Sequence, residues 1–137
     1  MTRPNDASVG ERLDTLEKTF TRPQLFRFSA VRWNPHRVVN YDRKYATEEE
    51  GQPDVLVHGP LHEAAIQQLL LDWVGPDGRL LELTCRIVGR GIPGEPYLVE
   101  AEVVAVDERD GTVEFDVWTH QAGERCADGS AVVRLER

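Results

Sequence analysis

Sulfur is scarce in this sequence, with two cysteines and one methionine in 137 residues. Cys85 and Cys126 stand far apart, with neither a Cys-x-x-Cys pair nor histidines at ligand spacing. This argues against a zinc site, makes neither residue a nucleophile and leaves a reduced, cytoplasmic setting as the expectation. Basic charge is also short: 16 Lys and Arg against 24 Asp and Glu give a formal net charge of -8. Phosphate binding needs a concentrated basic face, so neither nucleic acid nor an anionic membrane surface is expected as the main partner. No stretch approaches the ~18 apolar residues of a membrane span, and the first twenty-odd residues are polar and acidic without an apolar signal core. Secretion and membrane insertion are therefore not expected.

A chain of 137 residues fits one domain. Residues 1–23 read as a polar leader, loosely ordered or with one short helix, because Leu13, Leu16 and Phe20 recur at helix-like spacing before Pro23 interrupts. Residues 24–137 read as a single domain. Its first element is an apolar and aromatic run, 25–31, that suits a strand. Residues 34–54 then lose all periodicity; a charged segment of this length is usually functional or disordered. At Gly59-Pro60 a helix begins, with proline in the first turn where its missing N–H is not needed. Leu61, Ala64, Ala65, Leu69 and Trp73 give the i, i+3, i+4 pattern, and Ile66, Leu70 and Leu71 widen it, so the helix is expected to be largely buried and to end at Gly75-Pro76. The remainder predicts strands over 80–88, 97–106, 113–119 and 131–135, with turns at Pro93-Gly94, Asp110-Gly111 and Asp128-Gly129. One buried helix followed by consecutive antiparallel strands is an α+β arrangement.

The candidate chemistry lies in residues 33–61. A helix N-terminus presents unpaired N–H groups and the positive end of the macrodipole, so Gly59 could polarise a carbonyl. The same glycine would equally relieve crowding where the loop enters the helix. His36, Asp42 and His58 are the acid-base candidates, and a histidine with a carboxylate could activate a water. His58 could instead anchor the loop. His62 falls on the helix and His120 far along the sheet.

Taken together, Phe28-Ser29-Ala30, Asn34-Pro35-His36-Arg37, Tyr41-Asp42-Arg43, Tyr45-Ala46, Glu50-Gly51, Val57-His58-Gly59-Pro60-Leu61 and the turn from Gly91 to Tyr97 resemble the MaoC-like hydratase/dehydratase family. Within it the chain is most similar to the second half of tandem acyl-thioester dehydratases and to mesaconyl-CoA hydratase-like proteins. The resemblance implies a hot-dog fold, a curved antiparallel β-sheet wrapped around one long central helix. It implies reversible addition of water to a trans-2-enoyl thioester of coenzyme A or acyl carrier protein, with no further cofactor and no metal. It also implies pairing with a second hot-dog subunit, as a homodimer or a hetero-oligomer.

The family's carbonyl-binding glycine carries over onto Gly59. Its acid-base pair does not, because the Asp of the pattern Asp-x-Asn-Pro-x-His-x-Asp falls on Arg32 and the His on Arg37 or Asn40. An enzyme in which His36, Asp42 or His58 transfers the proton, while Asn34 or Asn40 holds the water, fits these residues. So does a non-catalytic subunit that shapes the pocket beside a catalytic partner. Arg37, Arg43 and Lys44, with Arg86 or Arg90 from the sheet, are the candidates for coenzyme A phosphates. A thioesterase would need a carboxylate on the helix, and Glu63 is the one available.

Overall fold

The computed structural model describes residues 6–136; the first five residues of the leader and Arg137 lie outside them. The elements are β1 (Leu16–Thr19), α1 (Arg22–Val31), a 3-10 turn (Val38–Asn40), α2 (Arg43–Glu48), α3 (Gly59–Val74), β2 (Gly78–Ile87), β3 (Pro96–Asp107), β4 (Thr112–Gln121) and β5 (Glu124–Leu135). The strands form one antiparallel sheet in the order β1-β3-β4-β5-β2.

Helix α3 lies on one face of this sheet. Its buried residues include His62, Ala65, Ile66, Leu69, Leu70 and Trp73, and they meet an inner sheet face of Val99, Ala101, Val103, Val113, Phe115, Val117 and Val133. Alternation along β4 is complete, with Val113, Phe115, Val117, Thr119 and Gln121 all inward. Trp73 meets Phe115 edge to face, centroids 5.1 Å apart. Register shifts at Leu80/Glu82, Val103/Ala105 and Thr119/His120 bend three of the four strand pairings, which curls the sheet around the helix. Gly75, at φ 71°, ends α3 where the sequence placed its stop. Among the described residues no helix is long and apolar enough to cross a membrane.

Three local expectations are corrected. Residues 16–19 form strand β1, not a helix: Leu16 pairs with Val99, and the flanking Leu13 and Phe20 enter the core. The run 25–31 is helix α1, not a strand. Thr21 caps it by accepting from Gln24 N at 3.2 Å, Pro23 lies in the first turn, and Leu25 and Ser29, one turn apart, face inward. The last hairpin turns at Ala122-Gly123 (φ 51° and 78°), not at Asp128-Gly129, which sits inside β5 opposite Arg86-Cys85.

Candidate active site

The N-terminus of α3, the second half of α1 with the segment after it, and the end of β2 enclose a cleft of about 450 Å³. The first contributes His58, Gly59, Pro60 and His62, the second Phe28, Arg32, Asn34, Arg37 and Asn40, and the third Ile87, Gly89 and Arg90.

His58 precedes the helix in the extended conformation usual for a cap (φ -65°, ψ 144°), yet its side chain makes no cap hydrogen bond. The ring is buried. Nε2 lies 2.7 Å from Ser29 Oγ, the Phe28 ring meets it edge-on at 4.8 Å, and Nδ1 has no hydrogen-bond partner. Burial pushes its pKa down to about 4, and the guanidinium groups of Arg37 and Arg32 push in the same direction. The imidazole is therefore neutral near pH 7, and one of its ring nitrogens is buried without a partner.

The 3-10 turn brings in Asn40. Its Nδ2 donates to Leu56 O at 2.8 Å, and Leu56 N donates to Val39 O at 3.0 Å, which fastens the turn to the strand-like approach to α3. One turn along α3, His62 Nδ1 shares a hydrogen bond with Tyr97 Oη, which donates to Thr119 Oγ1 at 2.7 Å. This buried polar row joins the cleft to β3 and β4. Burial lowers the His62 pKa to about 4 and raises that of Tyr97.

Both depressed histidines make stability depend on pH. Their folded pKa values lie below the unfolded value near 6.5, so this contribution is complete above about pH 6.5 and is lost as the pH falls towards 4. The melting temperature is expected to decline across that interval, and His62→Gln to make the decline shallower. Thermal melts of both proteins between pH 7.5 and pH 4 measure it.

Of the residues singled out in the sequence, His58, Gly59, Asn34, Asn40 and Arg37 meet in this one cleft. His36, Asp42, Arg43 and Lys44 do not line it. His36 is exposed. Asp42 caps α2, accepting from Tyr45 N at 3.0 Å, so its spacing serves the helix. Arg43 lies 3.7 Å from Asp54, whose carboxylate also receives Arg22 at 2.5 and 3.1 Å. Arg22 holds the pKa of this buried aspartate below the usual carboxylate range, opposed by burial and assisted by the Val55 N–H and Arg43. The pair ties α1 and α2 to the approach of α3. Glu63 is exposed and outside the cleft, which removes the support for a thioesterase. His62 does line the cleft, although its helical position gave no reason to select it. Ser29 and Phe28 also act only through tertiary contact with His58, and the motif Phe28-Ser29-Ala30 was the sequence signal for them.

A curled antiparallel sheet around one long helix, with a polar cleft at that helix's N-terminus, defines a hot-dog protein of the MaoC-like type. A family model described as hydroxyacyl-thioester dehydratase type 2 matches residues 2–82, and the chain belongs to that family. Mesaconyl-C(4)-CoA hydratase of Chloroflexus aurantiacus is 53% identical over 45 residues, 33% of this chain. The match spans only 16% of that protein. The (R)-hydratase from A. caviae involved in PHA biosynthesis superposes with a TM-score of 0.84 at 22% identity, covering 95% of this chain and 98% of that one. A chain of the ChsH1-ChsH2 complex from Mycobacterium tuberculosis superposes with a TM-score of 0.81 at 18% identity, covering 94% of this chain and 98% of that one. At these identities the two superpositions establish the fold.

Proposed function

We propose that the chain is a hydratase/dehydratase that adds water reversibly to a trans-2-enoyl thioester, with coenzyme A or acyl carrier protein as the carrier. The observation that carries this reading is one cleft holding both the helix N-terminus at Gly59 and a neutral His58 with an unpartnered ring nitrogen. The thioester oxygen sits at the Gly59 end, where the Gly59 N–H and the dipole of α3 stabilise negative charge. With Nε2–H donated to Ser29 Oγ, His58 Nδ1 carries the lone pair; it is buried in the empty cleft, and it takes a proton from the water, as the water oxygen bonds to C3, once a small turn of the ring brings it to the cleft surface. The electron pair of the double bond moves towards the thioester oxygen as an enolate, and C2 then takes the proton held by the His58 imidazolium, which returns the ring to its neutral form. Asn34 and Asn40 orient the water, and Arg90 lies where it can meet a coenzyme A phosphate.

The test is loss of enone absorbance with crotonyl-CoA and with longer or branched enoyl-CoA substrates. Turnover above background is expected with at least one; folded protein that hydrates none of them would end this reading.

Asn40 favours a second reading. It is one of the two positions, with Arg37, on which the histidine of the family pattern falls, and neither an amide nor a guanidinium accepts a proton near neutral pH. The ChsH1-ChsH2 neighbour is by its name a complex of two proteins. On this reading the chain shapes the thioester pocket and a second hot-dog subunit supplies the acid-base group. Co-purification from the native host distinguishes the two: a stable species containing only this chain, active alone, rules out an obligate partner.

A further inference from the structure

The inner face of β4 changes character towards its end. Val113, Phe115 and Val117 are apolar, whereas Thr119 and Gln121, the next two inward positions, are polar and buried. Tyr97 and His62 continue the row from Thr119, and neither is more than 1% exposed. Apolar groups of the same shape can replace a pair of buried hydrogen-bonding partners at little or no loss of stability. Packing alone therefore gives no reason for a polar row at this point.

The row ends on the backbone just before α3. Besides meeting Tyr97, the His62 ring bonds the backbone of Val57, and because that bond favours the protonated ring its partner is the Val57 carbonyl. Val57 N donates to Gly91 O at 2.9 Å. Gly91 approaches so closely that a Cβ on it would lie 3.2 Å from both His62 Cε1 and Val57 Cγ2. The next residue, Ile92, is held at both of its backbone groups by the Gln121 amide, each at 2.9 Å. Leu56 is likewise held at both, by Val39 O and by Asn40 Nδ2. Every backbone polar group of the two residues before His58 is thus taken. The side chain of His58 itself caps nothing, so the order of this helix start comes from those two residues instead.

We propose that His62 is a positioning residue, which clamps the Val57 carbonyl from within α3 and so fixes the angle at which the Gly59 N–H faces the cleft. Its catalytic consequence rests on the thioester reading given above and deepens it. The planar Val57–His58 peptide is held on one side and α3 begins on the other, so the two backbone torsions of His58 between them are fixed as well. The clamp closes a ring of backbone from residue 57 to residue 62, and the helix start cannot turn without opening it. Tyr97 and Thr119 hold His62 in turn, which refers the position of Gly59 to the sheet. A donor fixed in advance costs no reorganisation when charge develops on the thioester oxygen.

The test reads backbone order in the ligand-free protein and rates in the same variants. The amides of Val57 and Leu61 bracket His58 and donate to Gly91 O and His58 O. Their hydrogen exchange, followed by NMR, is expected to quicken about tenfold in His62→Leu and in Tyr97→Phe, while the amides of Phe115 and Val133 in the sheet keep their rates. In hydration of crotonyl-CoA the same variants should lose about 10- to 10²-fold in kcat with KM changed less than about twofold, because the thioester still binds but meets a misplaced donor. Gly91→Ala presses on His62 and Val57 from outside the row, should share both effects, and carries the test if His62→Leu does not fold. Exchange that rises by one common factor throughout the protein marks a merely structural residue and overturns the proposal. So does a variant that loosens at Val57 yet keeps full kcat. Because exchange needs no turnover, local loosening in the variants of a protein that hydrates no enoyl thioester refutes the hydratase reading and leaves the clamp standing.

Discussion

His58→Ala is expected to lower kcat/KM for enoyl-thioester hydration by about 10²- to 10⁴-fold, the range over which general acid-base groups act. The size of the effect follows from how few groups in the cleft can accept a proton. Asn34 and Asn40 are amides, the arginines stay protonated, and His62 has its Nδ1 engaged with Tyr97. His58 alone combines a neutral ring with an unpartnered nitrogen. Folding should survive the change, because a buried nitrogen without a partner is itself unfavourable and its removal offsets part of the lost packing. Ser29→Ala provides the companion measurement. Ser29 holds the ring through Nε2 at 2.7 Å and acts by positioning, so its loss should reduce kcat more than it raises KM. Full activity in a folded His58→Ala protein would remove this histidine from the chemistry.

The largest expected effect on stability comes from a residue that does not line the cleft. Gly129, within β5, faces Cys85 on β2 and Val117 on β4. A Cβ placed on it would fall 1.7 Å from the Thr84 carbonyl oxygen and 2.7 Å from its carbon. Both are backbone atoms and cannot swing aside, so the β2–β5 pairing must separate to admit even a methyl group. Gly129→Ala is expected to cost about 3 kcal/mol and to lower Tm by about 10 °C. Gly94→Ala is the contrast. That glycine has a φ of 83° but nothing within 4 Å of its added Cβ, so only backbone strain of about 1 kcal/mol applies. Thermal melts of the two variants compare crowding with strain, and equal losses would contradict the close approach at Gly129.

The same glycine shows where the sequence was readable. Asp128-Gly129 has the composition of a turn, and nothing local distinguishes a glycine that bends the chain from one that lets a neighbouring strand come close. Helix α3 was legible to the residue, since Pro60, its apolar spacing and Gly75 all act within a few positions. Composition points the other way at helix α1, because Phe26, Phe28 and Val31 favour a strand. The capping signal of Thr21 with Pro23 lay before the apolar run and outweighed it.

In the site, the end that depends on chain direction was visible: His58 and Gly59 must sit where α3 starts. The contacts of Ser29, Phe28 and Arg32 with that end were not, because they require α1 to be a helix folded back over it. The charge of Asp42 beside Tyr41 suggests a site, whereas its carboxylate is held by the backbone N–H of Tyr45.

The strand order sets a timetable for assembly. β5 lies between β4 and β2, so β2, although made before β3 and β4, has no partner until residues 124–135 follow. During that wait β2 presents free backbone groups on both sides, together with Leu81, Ile87 and Val88, which stay partly exposed even in the finished fold. An unpaired strand of this kind is an invitation to pair with another chain. Losses that stop synthesis or folding short of β5 are therefore expected to yield aggregates through β2, while the hairpin of β3 and β4 can already form.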